Sequence, residues 1–146
     1  YKGYFSVTFI PYFFNCDSLV NQTLAGAASI LGHVYPVYFY FKGGKGVGTA
    51  LGTLLAFHGF SNTIMLAFST WILSVVLTGF VGLSSILASL SIPTIYYFKS
   101  NTQYEIIIYS ILIALFIIFT HRENIYRMLN GEENQFKKIM LKNLFK

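Results

Sequence analysis

The chain has 146 residues, of which 55% are hydrophobic and only 10% charged, with a mean hydropathy of +0.60 and a formal net charge of +5. Soluble domains carry about 25% charged residues, so this chain cannot cover a water-facing surface and an ordinary soluble enzyme is excluded. Nucleic-acid binding is not indicated either. The cations Lys42, Lys45, Arg122, Arg127, Lys137, Lys138, Lys142 and Lys146 flank apolar segments, where they read as topology anchors that attract anionic lipid. The length fits one domain. The single cysteine, Cys16, excludes an internal disulfide and reads as packing beside an apolar segment.

In chain order, Tyr4 to Phe14 is an apolar stub containing Pro11, ending at the polar cluster Asn15 to Ser18. Leu19 to Phe41 reads as one helix with His33 and Pro36 in its last third. It lies in a charge-free stretch, Ser18 to Phe41, long enough for one crossing of about 20 residues. Lys42 to Gly46 is a glycine-lysine loop. Val47 to Phe57 is a short helix, and His58 to Asn62 a break. Thr63 to Thr78 is a further helix carrying Trp71. Gly79 and Gly82 interrupt the apolar run before Leu83 to Phe98, which contains Pro93. Gly46 to Phe98 has no formal charge and can cross at least twice. Lys99 to Gln103 is a polar turn, and Tyr104 to Thr120 the last long helix. His121 to Leu129 continues helically into water and stops at Asn130–Gly131, a helix-ending pair. The segment 132–146 reads as a basic cytoplasmic tail. Within it Phe136, Ile139, Met140 and Leu144 recur at helical spacing, as in a surface-lying amphipathic helix or a frayed tail. The expected fold is all-α: a polytopic helical membrane protein with about five to six transmembrane or re-entrant helices.

Two polar loops stand out. The four apolar segments between them put both on one face, and an active site can form where they meet. The first is Lys42-Gly43-Gly44-Lys45-Gly46-Val47-Gly48-Thr49. Its glycines let the backbone turn tightly, and the helix that starts directly after it points its dipole and free N–H groups into the loop. With two lysines, and Thr49 to add a hydroxyl, this makes an anion site suited to phosphate. The competing account is a flexible, positively charged turn. The spacing matches neither a nucleotide P-loop nor a dinucleotide fingerprint. His33, just upstream, reads as a structural polar group or a catalyst, and Ser84 and Ser85 as helix-contact serines.

The second loop is His121-Arg122-Glu123-Asn124-Ile125-Tyr126-Arg127. His121 and Asn124, three apart, share a helix face, while Glu123 and Arg127, four apart, can pair on another. A histidine beside an asparagine offers a proton acceptor and a positioning donor for a hydroxyl. Interfacial capping by His and Arg explains the same residues equally well.

These stretches resemble a known family. Gly32-His33-Val34-Tyr35-Pro36-Val37 followed by Phe41-Lys42-Gly43-Gly44-Lys45-Gly46-Val47-Gly48-Thr49 resembles the second signature of the PlsY family. His121 through Glu132 resembles the third, in the expected order and apolar context. The resemblance implies transfer of a fatty acyl group from acyl phosphate to the sn-1 hydroxyl of glycerol 3-phosphate, giving lysophosphatidic acid and inorganic phosphate in phospholipid synthesis. It implies His121 and Asn124 as catalytic residues, and Lys42, Gly43, Gly44, Lys45, Gly46 and Thr49 as the substrate phosphate site. Ser85, which matches a family serine, joins His33 and Glu123 as further substrate-binding candidates. The partners implied are the two substrates and the lipid bilayer, with no metal, cofactor, nucleic acid or obligate protein partner. The location implied is the bacterial plasma membrane, multi-pass, with the site facing the cytoplasm. A transporter with an anion path is the rival, but the charges sit in loops and not mid-span.

Two departures qualify the resemblance. Gly48 stands where the family has alanine. The family's first signature and the helix before it are absent, and Tyr1-Lys2-Gly3 resembles only the end of the segment that follows them. That piece supplies family substrate-binding residues, so residues 1–146 alone are expected to be inactive or badly impaired.

Overall fold

The computed structural model describes residues 1–99 and 103–136. The expected tail helix through Ile139, Met140 and Leu144, and the middle of the turn after Lys99, lie outside the described residues. Seven α-helices follow in order: α1 (Lys2–Phe13), α2 (Leu19–Val34), α3 (Val47–Leu55), α4 (Ser61–Thr78), α5 (Val81–Tyr97), α6 (Tyr104–Thr120) and α7 (Arg122–Leu129). No strand occurs among the described residues.

The surface is apolar and the interior carries the small polar groups. Met65, Phe68, Leu73, Leu112 and Leu115 point outward, whereas Thr53, Thr63, Ser84, Ser85, Ser89 and Ser110 are buried. Of these, Thr53, Ser84, Ser85, Ser89 and Ser110 donate to a carbonyl three or four residues back, so no hydroxyl among them is stranded. Water would not tolerate the outer face, but lipid does. α4, with 18 residues and a hydropathy of 1.5, is long and apolar enough to cross a membrane, and α5 and α6 have 17 residues each. At 1.5 Å per residue such helices reach about 26 Å, close to the roughly 30 Å of a hydrocarbon core.

Three expectations need correction. Leu19 to Phe41 is not one helix. α2 stops at Val34 because Pro36 disfavours the helical region for Tyr35, which sits at φ −120° and ψ 62°. The chain then makes a 3₁₀ turn at Val37–Phe39 and passes through left-handed Tyr40 and Phe41, at φ 52° and 60°. Nor does the last long helix run straight on into α7: the axis bends by 53° at His121. The expected stop at Asn130–Gly131 is as read, with Gly131 at φ 72°.

α1 packs on α2 and α3, and α4 and α5 form a tight pair turned at Gly79, which sits at φ 74°. Gly82 does not interrupt anything and lies in the first turn of α5. α6 runs between the two groups, touching α2, α3 and α5. This order brings the start of α3, the start of α5 and the end of α6 to one end of the bundle. The opposite end is closed by an aromatic core of Phe57, Phe60, Tyr96 and Tyr109.

Candidate active site

Helix α3 begins at the glycine-lysine loop, and the loop's shape has specific causes. Gly43 donates its N–H to the Val34 carbonyl at 3.1 Å, which seats the loop on the end of α2. A Cβ at Gly43 would lie 2.6 Å from that carbonyl and 2.7 Å from Pro36 Cδ, and one at Gly44 would lie 2.6 Å from His33 Nε2. At Gly43 the obstacle is backbone, so only glycine fits there, whereas at Gly44 the His33 ring would have to move. Gly46 caps α3 in the left-handed conformation, at φ 83°. No side chain among the described residues caps that helix start, so its N–H groups and positive dipole end are available to an anion.

The end of α6 meets this loop. Thr120 Oγ1 lies 3.0 Å from the Lys45 carbonyl and 3.0 Å from the Ile117 carbonyl. The bend after Thr120 turns His121 and Asn124 inward, to 3% and 5% exposure. Lys45 Nζ donates to Asn124 Oδ1 at 2.5 Å, and Asn124 Nδ2 donates to Glu133 Oε1 at 2.6 Å. Arg127 Nε completes the chain by donating to Glu133 Oε2 at 2.7 Å. A lysine requires an oxygen and a carboxylate requires an N–H, so the two partners fix which way the Asn124 amide faces. Gly82 makes room for it: a Cβ there would come within 3.0 Å of Asn124 Nδ2. Glu133 is held by the next stretch of chain, where the Phe136 N–H donates to the Gly79 carbonyl at 2.9 Å.

His121 Nδ1 lies 2.8 Å from the Ile117 carbonyl. A carbonyl only accepts, so Nδ1 carries the proton and Nε2 keeps its lone pair. Burial pushes the His121 pKa below its usual value of 6.5. Lys45 adds to that, while the Ile117 bond and the Glu133 charge oppose it. The ring is therefore neutral at pH 7. The hydrogen bonds from Arg127 and then Asn124 hold the Glu133 carboxyl below its ordinary range, so it is ionised.

These groups line a polar cavity of about 360 Å³, which takes in Lys45, His121, Asn124, Glu133 and Ser85. A second, apolar cavity of about 270 Å³ runs between α3, α4, α5 and α6. Val47 and Ser85 line both. At the junction Trp71 Nε1 donates to Ser85 Oγ at 3.2 Å. The arrangement offers cationic and N–H donors for an anionic head, a neutral imidazole for a hydroxyl proton, and an apolar slot for a chain.

Comparison with known proteins gives the family. The family model described as glycerol-3-phosphate acyltransferase matches residues 1–131. The chain belongs to the glycerol-3-phosphate acyltransferase family. The curated glycerol-3-phosphate acyltransferase of Aquifex aeolicus is 38% identical over 135 residues, covering 92% of this chain and 68% of that protein. That of Syntrophotalea carbinolica is 42% identical over 111 residues, covering 76% of this chain and 55% of that protein. The chain is also similar, at 36% identity, to crystal structures of PlsY, an integral membrane glycerol 3-phosphate acyltransferase. Its lysophosphatidic acid form gives a TM-score of 0.80 over 99% of this chain and 70% of that one. The glycerol 3-phosphate form gives 0.77 over 99% and 67%. The chain thus spans from about half to about two thirds of the length of these family members.

The structure brings Lys45, His121, Asn124 and Ser85 of the expected residues around one cavity. Others lie elsewhere. Thr49 is buried on the side of α3 that meets α1, where its carbonyl packs against Gly3, and it does not line the polar cavity. Lys42 and Glu123 are exposed. Gly43, Gly44 and His33 shape the loop, with the Gly43 N–H already engaged. The expected Glu123–Arg127 pair gives way to Arg127–Glu133. Glu133 went unread in the sequence, where it stands in a polar stretch just after the Gly131 helix stop.

Proposed function

We propose that this family member transfers a fatty acyl group from acyl phosphate to the sn-1 hydroxyl of glycerol 3-phosphate, releasing lysophosphatidic acid and inorganic phosphate. The observation that carries the reading is the shared wall at Val47 and Ser85, where the cavity holding Lys45, His121 and Asn124 adjoins an apolar one. A substrate with a phosphate head and a hydrocarbon tail matches that pair of cavities.

In this reading Lys45 and the free N–H groups at the start of α3 hold substrate phosphate and offset its charge. His121 Nε2 takes the proton of the sn-1 hydroxyl. The oxygen forms a bond to the acyl carbonyl carbon, and the bond from that carbon to the phosphate oxygen breaks. Phosphate leaves with the electron pair. Asn124 is a positioning residue that aims the Lys45 ammonium, and Glu133 aims Asn124. An acyl phosphate is already activated, so orientation and charge compensation carry most of the rate enhancement. No metal or cofactor is called for. The polar end faces the cytoplasm of a bacterial cell, where glycerol 3-phosphate is soluble, while donor and product stay in the bilayer.

The test is phosphate release from palmitoyl phosphate by the full-length gene product in detergent, with and without glycerol 3-phosphate. Release that depends on glycerol 3-phosphate supports the reading. A folded protein that releases none, but moves an anion unchanged across a vesicle membrane, would be a transporter.

A further inference from the structure

The loop between α2 and α3 carries a run of large apolar side chains outside the site. Val37, Tyr38, Phe39, Tyr40 and Phe41 follow one another, and their exposure runs from 61% at Phe41 to 94% at Tyr38. The loop's own backbone holds them outward. The Pro36 carbonyl accepts the N–H groups of Phe39 at 3.1 Å and Phe41 at 3.0 Å, and the Phe39 carbonyl accepts that of Lys42 at 3.0 Å. These bonds keep Tyr40 and Phe41 left-handed, at φ 52° and 60°, a conformation that residues with a Cβ rarely adopt. The Gly43 N–H then ties the loop to the Val34 carbonyl. The aromatic run and the Lys45 loop are therefore one hydrogen-bonded piece seated on the end of α2.

Neither water nor hydrocarbon suits this run. Five consecutive exposed apolar residues are costly in water. The hydrocarbon core admits no lipid-facing loop, because a non-helical backbone leaves polar groups unpaired there. The headgroup zone meets both demands: it hydrates the backbone and the tyrosine hydroxyls while taking up the rings. Charge points to the same place. Among the described residues Lys2, Lys42, Lys45, Arg122 and Arg127 lie at this end of the bundle, and only Lys99 lies at the other. Such a bias faces an anionic leaflet, and the exposed Lys42 stands directly beside the aromatic run. We infer that Val37–Phe41 is a membrane-interface anchor, whose rings sit among the headgroups of an anionic leaflet and hold the Lys45 loop at that depth. The inference does not depend on the reaction proposed above.

The experiment places a tryptophan in the run, as Tyr40→Trp and separately as Tyr38→Trp. The background is the full-length protein with Trp71→Phe and any other tryptophan replaced. The readout is emission and not turnover, so loss of the Trp71–Ser85 bond does not enter. Each variant is reconstituted in vesicles of phosphatidylcholine and phosphatidylglycerol. Emission is quenched from the bilayer by lipids brominated near the headgroup or near the chain end, and from the water by acrylamide. The expected result is stronger quenching by the shallow bromines than by the deep ones, with acrylamide quenching weaker than for free tryptophan. Full acrylamide quenching without a bromine effect would put the run in water. Protection from both quenchers would put it under protein, and stronger quenching by deep bromines would put it in the hydrocarbon. Each of these three results overturns the inference. Should Tyr40→Trp disturb the left-handed turn, Tyr38→Trp decides alone, since φ at Tyr38 is not positive.

Discussion

The two ends of the site are built on opposite principles. At the polar end Lys45, Asn124, Glu133 and Arg127 form one chain of charge-assisted hydrogen bonds between 2.5 and 2.7 Å, and each partner dictates the orientation of the next. The apolar end has few directional contacts, the bond from Trp71 to Ser85 and the local hydroxyl-to-carbonyl bonds of Ser85 and Ser89, and it is defined by what is missing from Ala50, Ala67 and Ala88. In the proposed reaction the first region would recognise by geometry, the second by volume. The polar end should therefore fail sharply when one atom changes, and the apolar end should respond gradually.

Lys45→Ala gives the largest expected effect. It removes the cation aimed into the polar cavity and leaves the Asn124 carbonyl without its donor. Loss of one preorganised donor of this kind lowers kcat by about 100- to 1,000-fold. Phosphate-release kinetics would check it, and a variant within a few-fold of wild type would break the contrast between the two ends.

Glu133→Gln should come next. A glutamine can still accept from Asn124 through its oxygen, but its amide nitrogen then faces the Arg127 N–H. Hydrogen bonds to charged groups contribute about 1.5–3 kcal/mol, so a loss of about tenfold to hundredfold is expected. The same substitution carries a pH signature. Wild-type kcat/KM should fall as pH drops, with its midpoint below 6.5, because the proposed base, His121, would act in its neutral form and burial lowers its pKa. The Glu133 charge holds that pKa up, so Glu133→Gln should move the acid limb to lower pH. An unmoved limb would separate Glu133 from His121. Stability should follow the same sign. A histidine with a depressed folded pKa binds fewer protons folded than unfolded, so its contribution is present above pH 6.5 and is lost as pH falls through the folded value. A thermal-melt series between pH 7.5 and 5 would read it.

How much of this was legible in the sequence follows the same division. The helices and the meeting of the two loops were readable, because long charge-free runs and clustered cations are one-dimensional signals. The family signatures pointed to Lys45, His121 and Asn124 directly. What could not be read was direction. Thr49 sits four residues from Lys45, yet it faces α1, since only packing decides which side of α3 it occupies. Glu133 stands nine residues past Asn124, beyond a helix stop, and reaches it only because the chain reverses at Gly131. The end of α2 was misjudged although Pro36 was in view, because an apolar run masks a break that the proline imposes on Tyr35.

The smallest expected effect comes from the position where this chain departs from the family signature. Gly48 lies in the first turns of α3, outside the left-handed region, and a Cβ built there meets nothing within 4 Å. That sets it apart from Gly43, where a Cβ would strike the Val34 carbonyl, and from Gly46, whose φ of 83° strains any side chain. Space thus holds Gly43 and backbone conformation holds Gly46, while at Gly48 neither demands glycine. Gly48→Ala removes unfolded-state freedom at no steric cost. It should stabilise the protein by about 0.5–1 kcal/mol and raise Tm by about 2–4 °C. Differential scanning fluorimetry in detergent would measure it. A lower Tm would mean that the start of α3 needs the freedom of glycine, and that the anion-binding end of the helix is less rigid than its hydrogen bonds imply.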